Sequence, residues 1–284
     1  MRVEGKYSRI ASKGHVPWAV LLLFLFHSIS SSAQENFPIG SRASALSNAV
    51  VMESDIWSVY HNQAGLGEYH NFSLGFHHEN KYVVDEFSLH ALALTVPIRP
   101  GTFGFSYTYF GYPKYNESKM GIAFGKSFGS KLSAGVQMNY HYVFIDGNFE
   151  SRHALTVEGG IQYKPINALR IGVHIFNPTR AHLSPVESDT IITTVRAGIS
   201  YTPIEKLWMS VETEKSLTYK IRIKSGIEYQ VIKGLFLRTG IITQPFQNSF
   251  GLGFNFSRIS ADVAFSHNQT LGFMPHFSIQ IRLK

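Results

Sequence analysis

The 284-residue chain has no cysteine, which excludes disulfides, thiolate metal sites, a cysteine nucleophile and a lipidated N-terminal cysteine. Charge is scarce too: charged residues make up 16% against 14% aromatics and 24 glycines. That mixture is expected where strands alternate bulky apolar side chains with small or polar ones. Long hydrophobic runs are missing. Val16–Phe26 spans only eleven residues, too few to cross a bilayer as a helix, and the mean hydropathy of −0.03 argues against a bundle of spanning helices. Neither Gly-x-Ser-x-Gly, His-Glu-x-x-His, a phosphate loop nor a clear carboxylate dyad occurs, so no enzyme and no cofactor is indicated.

What is present begins with a leader. Arg2, Lys6, Arg9 and Lys13 precede the Val16–Phe26 run, and Ser31-Ser32-Ala33 offers a small-residue cleavage site, so residues 1–33 read as a signal peptide. The leader's four basic residues and Glu4 supply +3 of the formal +7, leaving about +4 scattered over the mature chain. Such a balance implies no nucleic-acid partner.

The next stretch differs from everything after it. Ser41 to Met52 is small, alanine-rich and apolar at helical spacing, which predicts a short helix packed closely against other backbone. Asp55 to Gly67 then ends it in a polar, glycine-bearing turn. Gly40, Arg42, Ala43, Ala45 and Leu46, followed by Asn62, Ala64, Gly65 and Leu66, resemble the N-terminal plug of the FadL/PorV superfamily of bacterial outer-membrane barrels, a Gly-x-Arg-Ala-x-Ala helix before an Asn-Pro-Ala-Gly-Leu turn. Gln63 stands where that family has proline, and Ser47 where it usually has glycine. Residues 34–69 are therefore taken as a plug segment and 70–284 as a barrel.

From Asn71 onward the apolar period is two. Leu132, Ala134, Val136, Met138, Tyr140 and Tyr142, for example, alternate with Ser133, Gly135, Gln137, Asn139 and His141. Fourteen strands are predicted, near 70–78, 86–96, 102–112, 117–127, 131–143, 153–164, 168–176, 191–202, 206–214, 219–230, 234–243, 248–256, 258–267 and 273–283. In 86–96 the parity breaks between Leu89 and Leu92. Short connections such as 128–130 alternate with longer ones such as 177–190, the asymmetry of tight periplasmic turns and larger external loops. A turn recurs at Tyr163, Tyr201 and Tyr229, each tyrosine preceding the turn and a leucine opening the next strand, which suits an aromatic girdle at a membrane interface. Fourteen strands with one apolar face would make a very large soluble sandwich but an ordinary barrel, so the fold class is an all-β transmembrane antiparallel barrel with a short helical plug.

The opposite face carries Glu158, Arg196, Glu212, Glu214, Lys220, Arg222, Lys224, Glu228 and Arg238. A tight hairpin of 206–214 with 219–230 would set Glu212 opposite Arg222. The charges read as an ion network lining the lumen and holding the plug, with a permeant-selecting constriction as the other reading; Arg42 and Asp55 are candidates to join it. Of thirteen histidines only His77 and His78 are adjacent, and their side chains point to opposite faces, so no metal site is expected.

The resemblance implies a monomeric protein of the bacterial outer membrane, in contact with its lipid. That superfamily divides between uptake of hydrophobic compounds and, in the PorV/PorQ branch, roles in type IX secretion. The compact loops and short plug look more like the second branch, whose partners are secretion-system or envelope proteins. The alternative is a FadL-like channel for a hydrophobic ligand.

Overall fold

The structure, a computed structural model, describes residues 39–147, 151–183, 190–269 and 272–283. The leader predicted for 1–33 lies outside them. Fourteen antiparallel strands form a closed barrel in which each pairs with its sequence neighbours: β1 (Ser73–Asn80), β2 (Ser88–Pro97), β3 (Thr102–Tyr112), β4 (Tyr115–Phe128), β5 (Leu132–Ile145), β6 (Arg152–Ile166), β7 (Leu169–Phe176), β8 (Thr194–Ile204), β9 (Leu207–Ser216), β10 (Arg222–Ile232), β11 (Leu235–Thr243), β12 (Phe246–Phe256), β13 (Ile259–Asn268) and β14 (Gly272–Arg282). The seam joins β1 to β14 in register from Ser73↔Arg282 to Glu79↔His276, so no strand edge is left bare.

The alternation runs inside out relative to a soluble protein. On β5, Val136 is 65% and Met138 56% exposed, while Gln137 and Asn139 between them are 3% and 0% exposed. Every strand repeats the pattern on average: apolar side chains face outward and polar ones face the lumen, the arrangement a hydrocarbon surround demands. Tyr163, Tyr201 and Tyr229 point outward at the tight-turn end, where the ladder shifts register before each of the three turns. Each stands opposite a leucine opening a neighbouring strand: Leu132, Leu169 and Leu207.

The lumen is filled from both ends. From one end enters the segment 39–67, with helix α1 (Ser41–Ala45), helix α2 (Ser58–His61) and a 3-10 turn at Gln63–Gly67. From the other, Leu183 and Ile191, described residues of the connection between β7 and β8, are buried against Val143, Ala154 and Phe176. The Asn177 side chain secures that packing by donating to the Ile191 carbonyl at 2.7 Å.

Four expectations need correction. The helix predicted over 41–52 stops at Ala45, because Ser47 (φ 52°) and Asn48 (φ 61°) take left-handed conformations that end it. Glu212 faces Lys224 and Arg222 faces Glu214, a shift of two residues from the expected pairing, since β9 runs on to Ser216 and the connection is wider than a tight turn. Lys220 lies in that connection, exposed, outside any strand. The parity break at Leu89 is no irregularity of β2: Leu89 points inward and is buried against the plug, with Ala91 and Ala93 on the same face.

Candidate functional site

The plug fits because the wall beside it is made of glycine. Ten strands each place an inward glycine against it, and added side chains would collide at once: a Cβ on Gly135 would lie 2.3 Å from the Gln63 carbonyl, on Gly172 2.4 Å from the Val51 oxygen, and on Gly240 2.5 Å from the Leu46 carbonyl carbon. Backbone thus packs on backbone, and Leu46, Val51, Ile56, Tyr60 and Leu66 are all fully buried. These glycines read in sequence only as small lumen residues. Nothing short of the plug's path distinguishes a glycine that is required from one that is tolerated.

Each residue of the plug motif has a physical role. Gly40 adopts φ 108° with the Trp57 ring 3.1 Å from where a Cβ would stand. Ala43 and Ala45 are small because α1 lies on the wall; a Cβ on Gly251 would meet that of Ala45 at 2.5 Å. Asn62 is the hinge pin: its Nδ2 donates to the Val51 carbonyl at 2.8 Å and its Oδ1 accepts from the Ala64 N–H at 3.1 Å, capping the 3-10 turn. Gly65 leaves room for the Glu53 carbonyl, 2.3 Å from its would-be Cβ. Gln63 stays buried and donates back to the Val59 carbonyl at 3.3 Å. Ser47, at φ 52°, occupies a conformation that glycine takes without strain. Gly40→Ala should therefore cost about 1–3 kcal/mol, measured as a lowered urea midpoint in detergent with an unchanged far-UV spectrum.

Three polar clamps hold this segment. Arg42 makes a bidentate pair with Glu228 (Nε 2.8 Å, Nη2 3.0 Å), contacts Glu53, comes within 3.7 Å of Asp55 and lies over the Trp208 ring at 5.3 Å. Glu228 also pairs with Arg238, which reaches Asp262, so one chain of charge runs from the plug across β10 and β11 to β13. In the second clamp Glu212, fully buried, accepts the backbone N–H groups of Val50 and Val51, both at 2.9 Å, and Lys224 at 3.1 Å; Lys224 continues to Glu214 at 2.6 Å, which Arg222 approaches at 3.4 Å. In the third, Arg196 donates to the His61 carbonyl at 2.8 Å and lies 2.9 Å from His174 Nδ1, whose Nε2 is 3.0 Å from Glu158. Glu158 also accepts from Gln137 and Asn139 at 3.0 and 2.8 Å. Eight of the nine predicted lumen residues thus fall into three clusters, joined by Glu53, His174 and Asp262, and Lys220 stands outside them. Asp55 joins through Arg42.

Burial raises the Asp55 carboxyl to about 7 against the pull of Arg42. In the unfolded chain it ionises near 3.8, so the docked plug holds a proton that the free one releases. Docking is favoured toward the acid side of that window and weakens as pH rises through 7. Asp55→Asn should flatten this dependence, read as plug protection from protease between pH 5 and 8.

Tyr60 touches the wall itself. Its hydroxyl accepts the Tyr107 N–H at 3.2 Å and lies 2.5 Å from the Leu92 carbonyl and 3.0 Å from that of Tyr107. Leu92 and Tyr107 are paired residues of β2 and β3, so a plug side chain is lodged in the ladder between them. Above the plug, at the loop end, a hollow of about 250 Å³ remains, lined by charged groups including Glu79, Arg196, Glu214, Arg222 and Lys224. A second hollow, of about 450 Å³, is apolar and lies on the outer wall among Ile227, Leu237, Phe250, Leu252 and Phe265.

No family model and no curated protein matches the sequence. Solved structures do match in fold. The CymD monoaromatic hydrocarbon channel is 12% identical with a TM-score of 0.66, over 88% of this chain and 99% of its own. The Ralstonia pickettii toluene transporter TbuX is 12% identical with a TM-score of 0.64, over 86% and 98%. A Pseudomonas aeruginosa FadL homologue is 12% identical with a TM-score of 0.61, over 87% and 98%. At this identity the likeness is one of fold.

Proposed function

We propose that the chain is a non-enzymatic outer-membrane barrel that passes small hydrophobic molecules, seen in its shut form. On this reading residues 1–33 are removed on export, 34–69 plug the lumen and 70–284 span the membrane with the tight turns on the periplasmic side. The lodging of Tyr60 in the β2–β3 ladder carries the proposal: when the plug moves, the wall loses that hydroxyl, and the place where it parts faces hydrocarbon rather than water. An apolar molecule gains by leaving a polar lumen sideways into lipid. The shared fold with channels named for toluene and monoaromatic hydrocarbons supports the same reading.

Intact cells expressing the protein should take up labelled toluene several-fold faster than empty cells, and Tyr60→Phe, which keeps the ring but removes the stitch, should increase the rate further. Uptake equal to that of empty cells in both forms overturns the reading.

A second reading, a PorV/PorQ-like partner or shuttle in protein secretion, is favoured by the filled lumen and by ladders that close around the whole barrel. It predicts co-purification of envelope or secretion proteins from native membranes in mild detergent, without uptake.

A further inference from the structure

The two strands that close the ring bring together three groups that sequence separates by nearly the whole barrel. Glu79 on β1 stands directly opposite His276 on β14, and His77 lies two residues before Glu79 on the same inward face. They are 6%, 5% and 0% exposed. One ligand atom from each falls within 4.8 Å of the other two.

Their hydrogen bonding is incomplete in a particular way. His276 Nε2 is 3.1 Å from Ser266 Oγ, which leaves Nδ1 facing Glu79 Oε2 at 3.8 Å, too far for a hydrogen bond. Neither buried ring nitrogen of His77 completes a hydrogen bond, although the Phe277 backbone lies beside the ring. The His77 ring stacks on that of His276 with centroids 6.0 Å apart, and the Trp57 edge of the plug closes its other side at 6.2 Å. A plain His276–Glu79 ion pair accounts for two of the three groups and leaves His77 with no more than a weak contact to the Phe277 backbone, at a cost that buried polar groups ordinarily avoid.

We propose that His77, Glu79 and His276 form a site for a divalent transition metal of the zinc class that straps β1 to β14. Two imidazoles and one carboxylate are a donor set such ions take, at about 2.0–2.2 Å from the metal. Tetrahedral angles then set the ligand atoms roughly 3.3–3.6 Å apart, so a contraction of about 1–1.5 Å by side-chain rotation completes the triangle. Imidazole pairs select zinc-like ions over calcium or magnesium, which want oxygen ligands. Ser266 supplies the outer hydrogen bond that fixes a ligating histidine's tautomer. Glu79 lines the polar hollow at the loop end, which gives the ion a route in and leaves a fourth position to water. His78 takes no part: it points away and meets His90, with ring centroids 4.8 Å apart. The site stands independently of what passes through the lumen.

The mature protein, refolded in detergent and stripped with a chelator, is titrated with zinc by calorimetry and with cobalt(II) by visible absorption. One ion per chain, with the intense cobalt bands of low coordination, is expected. His77→Gln, Glu79→Gln and His276→Gln should each weaken zinc by more than tenfold, Ser266→Ala by about tenfold, and His78→Gln not at all. Zinc should raise the temperature at which the folded band disappears on gels for the wild type and not for Glu79→Gln, a near-isosteric change that keeps the barrel. Absence of stoichiometric binding in the wild type, undiminished binding in the three glutamine variants, or loss on His78→Gln overturns the site.

Discussion

Glu228→Gln should release the plug and cost the protein about 3–5 kcal/mol. Glu228 is, among the described residues, the carboxylate shared by Arg42 on the plug and Arg238 on the wall, and it is 9% exposed. Neutralising it leaves two guanidinium groups facing each other away from bulk water, held by Glu53 on one side and Asp262 on the other. Removing a single member of a buried network is costly for that reason, whereas removing both sides of a contact is far less so. Arg42→Met should also be costly, because it takes the guanidinium from Glu53 as well as from Glu228, and Arg42→Met combined with Glu228→Gln should cost less than the two added. The measurements are urea unfolding in detergent and conductance in planar bilayers, where the Glu228→Gln barrel should show openings absent from the wild type. Stability within 1 kcal/mol of wild type and a silent bilayer would remove this network from its role as plug latch.

Gly135→Val should yield a folded barrel that excludes its plug. The new Cβ would lie 2.3 Å from both the carbonyl carbon and oxygen of Gln63 and 2.7 Å from the Ala64 nitrogen, so backbone meets backbone and no side chain can turn aside. Overpacking against movable side chains costs about 1–3 kcal/mol; here the 3-10 turn itself has to leave. The outward face of β5 is untouched, so the wall still forms. A chain without cysteine makes the test clean: Ala64→Cys, at a fully buried position, should resist a membrane-impermeant maleimide in an otherwise native background and react fully in Gly135→Val. Val136→Leu, the neighbouring substitution on the lipid side, should leave the thiol protected. Equal protection in both would mean that the wall gives way and the glycine is dispensable.

Strand number and the alternation itself were legible because both rest on period two, and a one-residue slip would turn every side chain of a strand to the wrong face; which face met hydrocarbon followed from the number of strands and not from the alternation. Pairing detail was less so. The Glu212–Arg222 expectation assumed a tight turn after residue 214, but Lys215 and Ser216 extend β9 and move the partners by two. Plug helicity was overread: alanine-rich spacing between 41 and 52 satisfies a helix equally well, and only Glu212, reaching in from the wall to take the Val50 and Val51 N–H groups, shows why the backbone turns there. Charges on the inward parity identified the clamps' wall halves. Their joining groups, Glu53, His174 and Asp262, carry no sequence signal that separates them from other polar residues, because what selects them is proximity across strands far apart in the chain.

The plug leans on strands from β1 to β14, where the Ser41 N–H donates to Ser278 Oγ, although it precedes them all. During biogenesis its cradle is therefore incomplete until the last hairpin has been laid down. Through that interval Leu46, Val51, Ile56 and Leu66 lack their native shelter, so mutations that slow insertion of the final strands should make the chain prone to degradation from its N-terminal side.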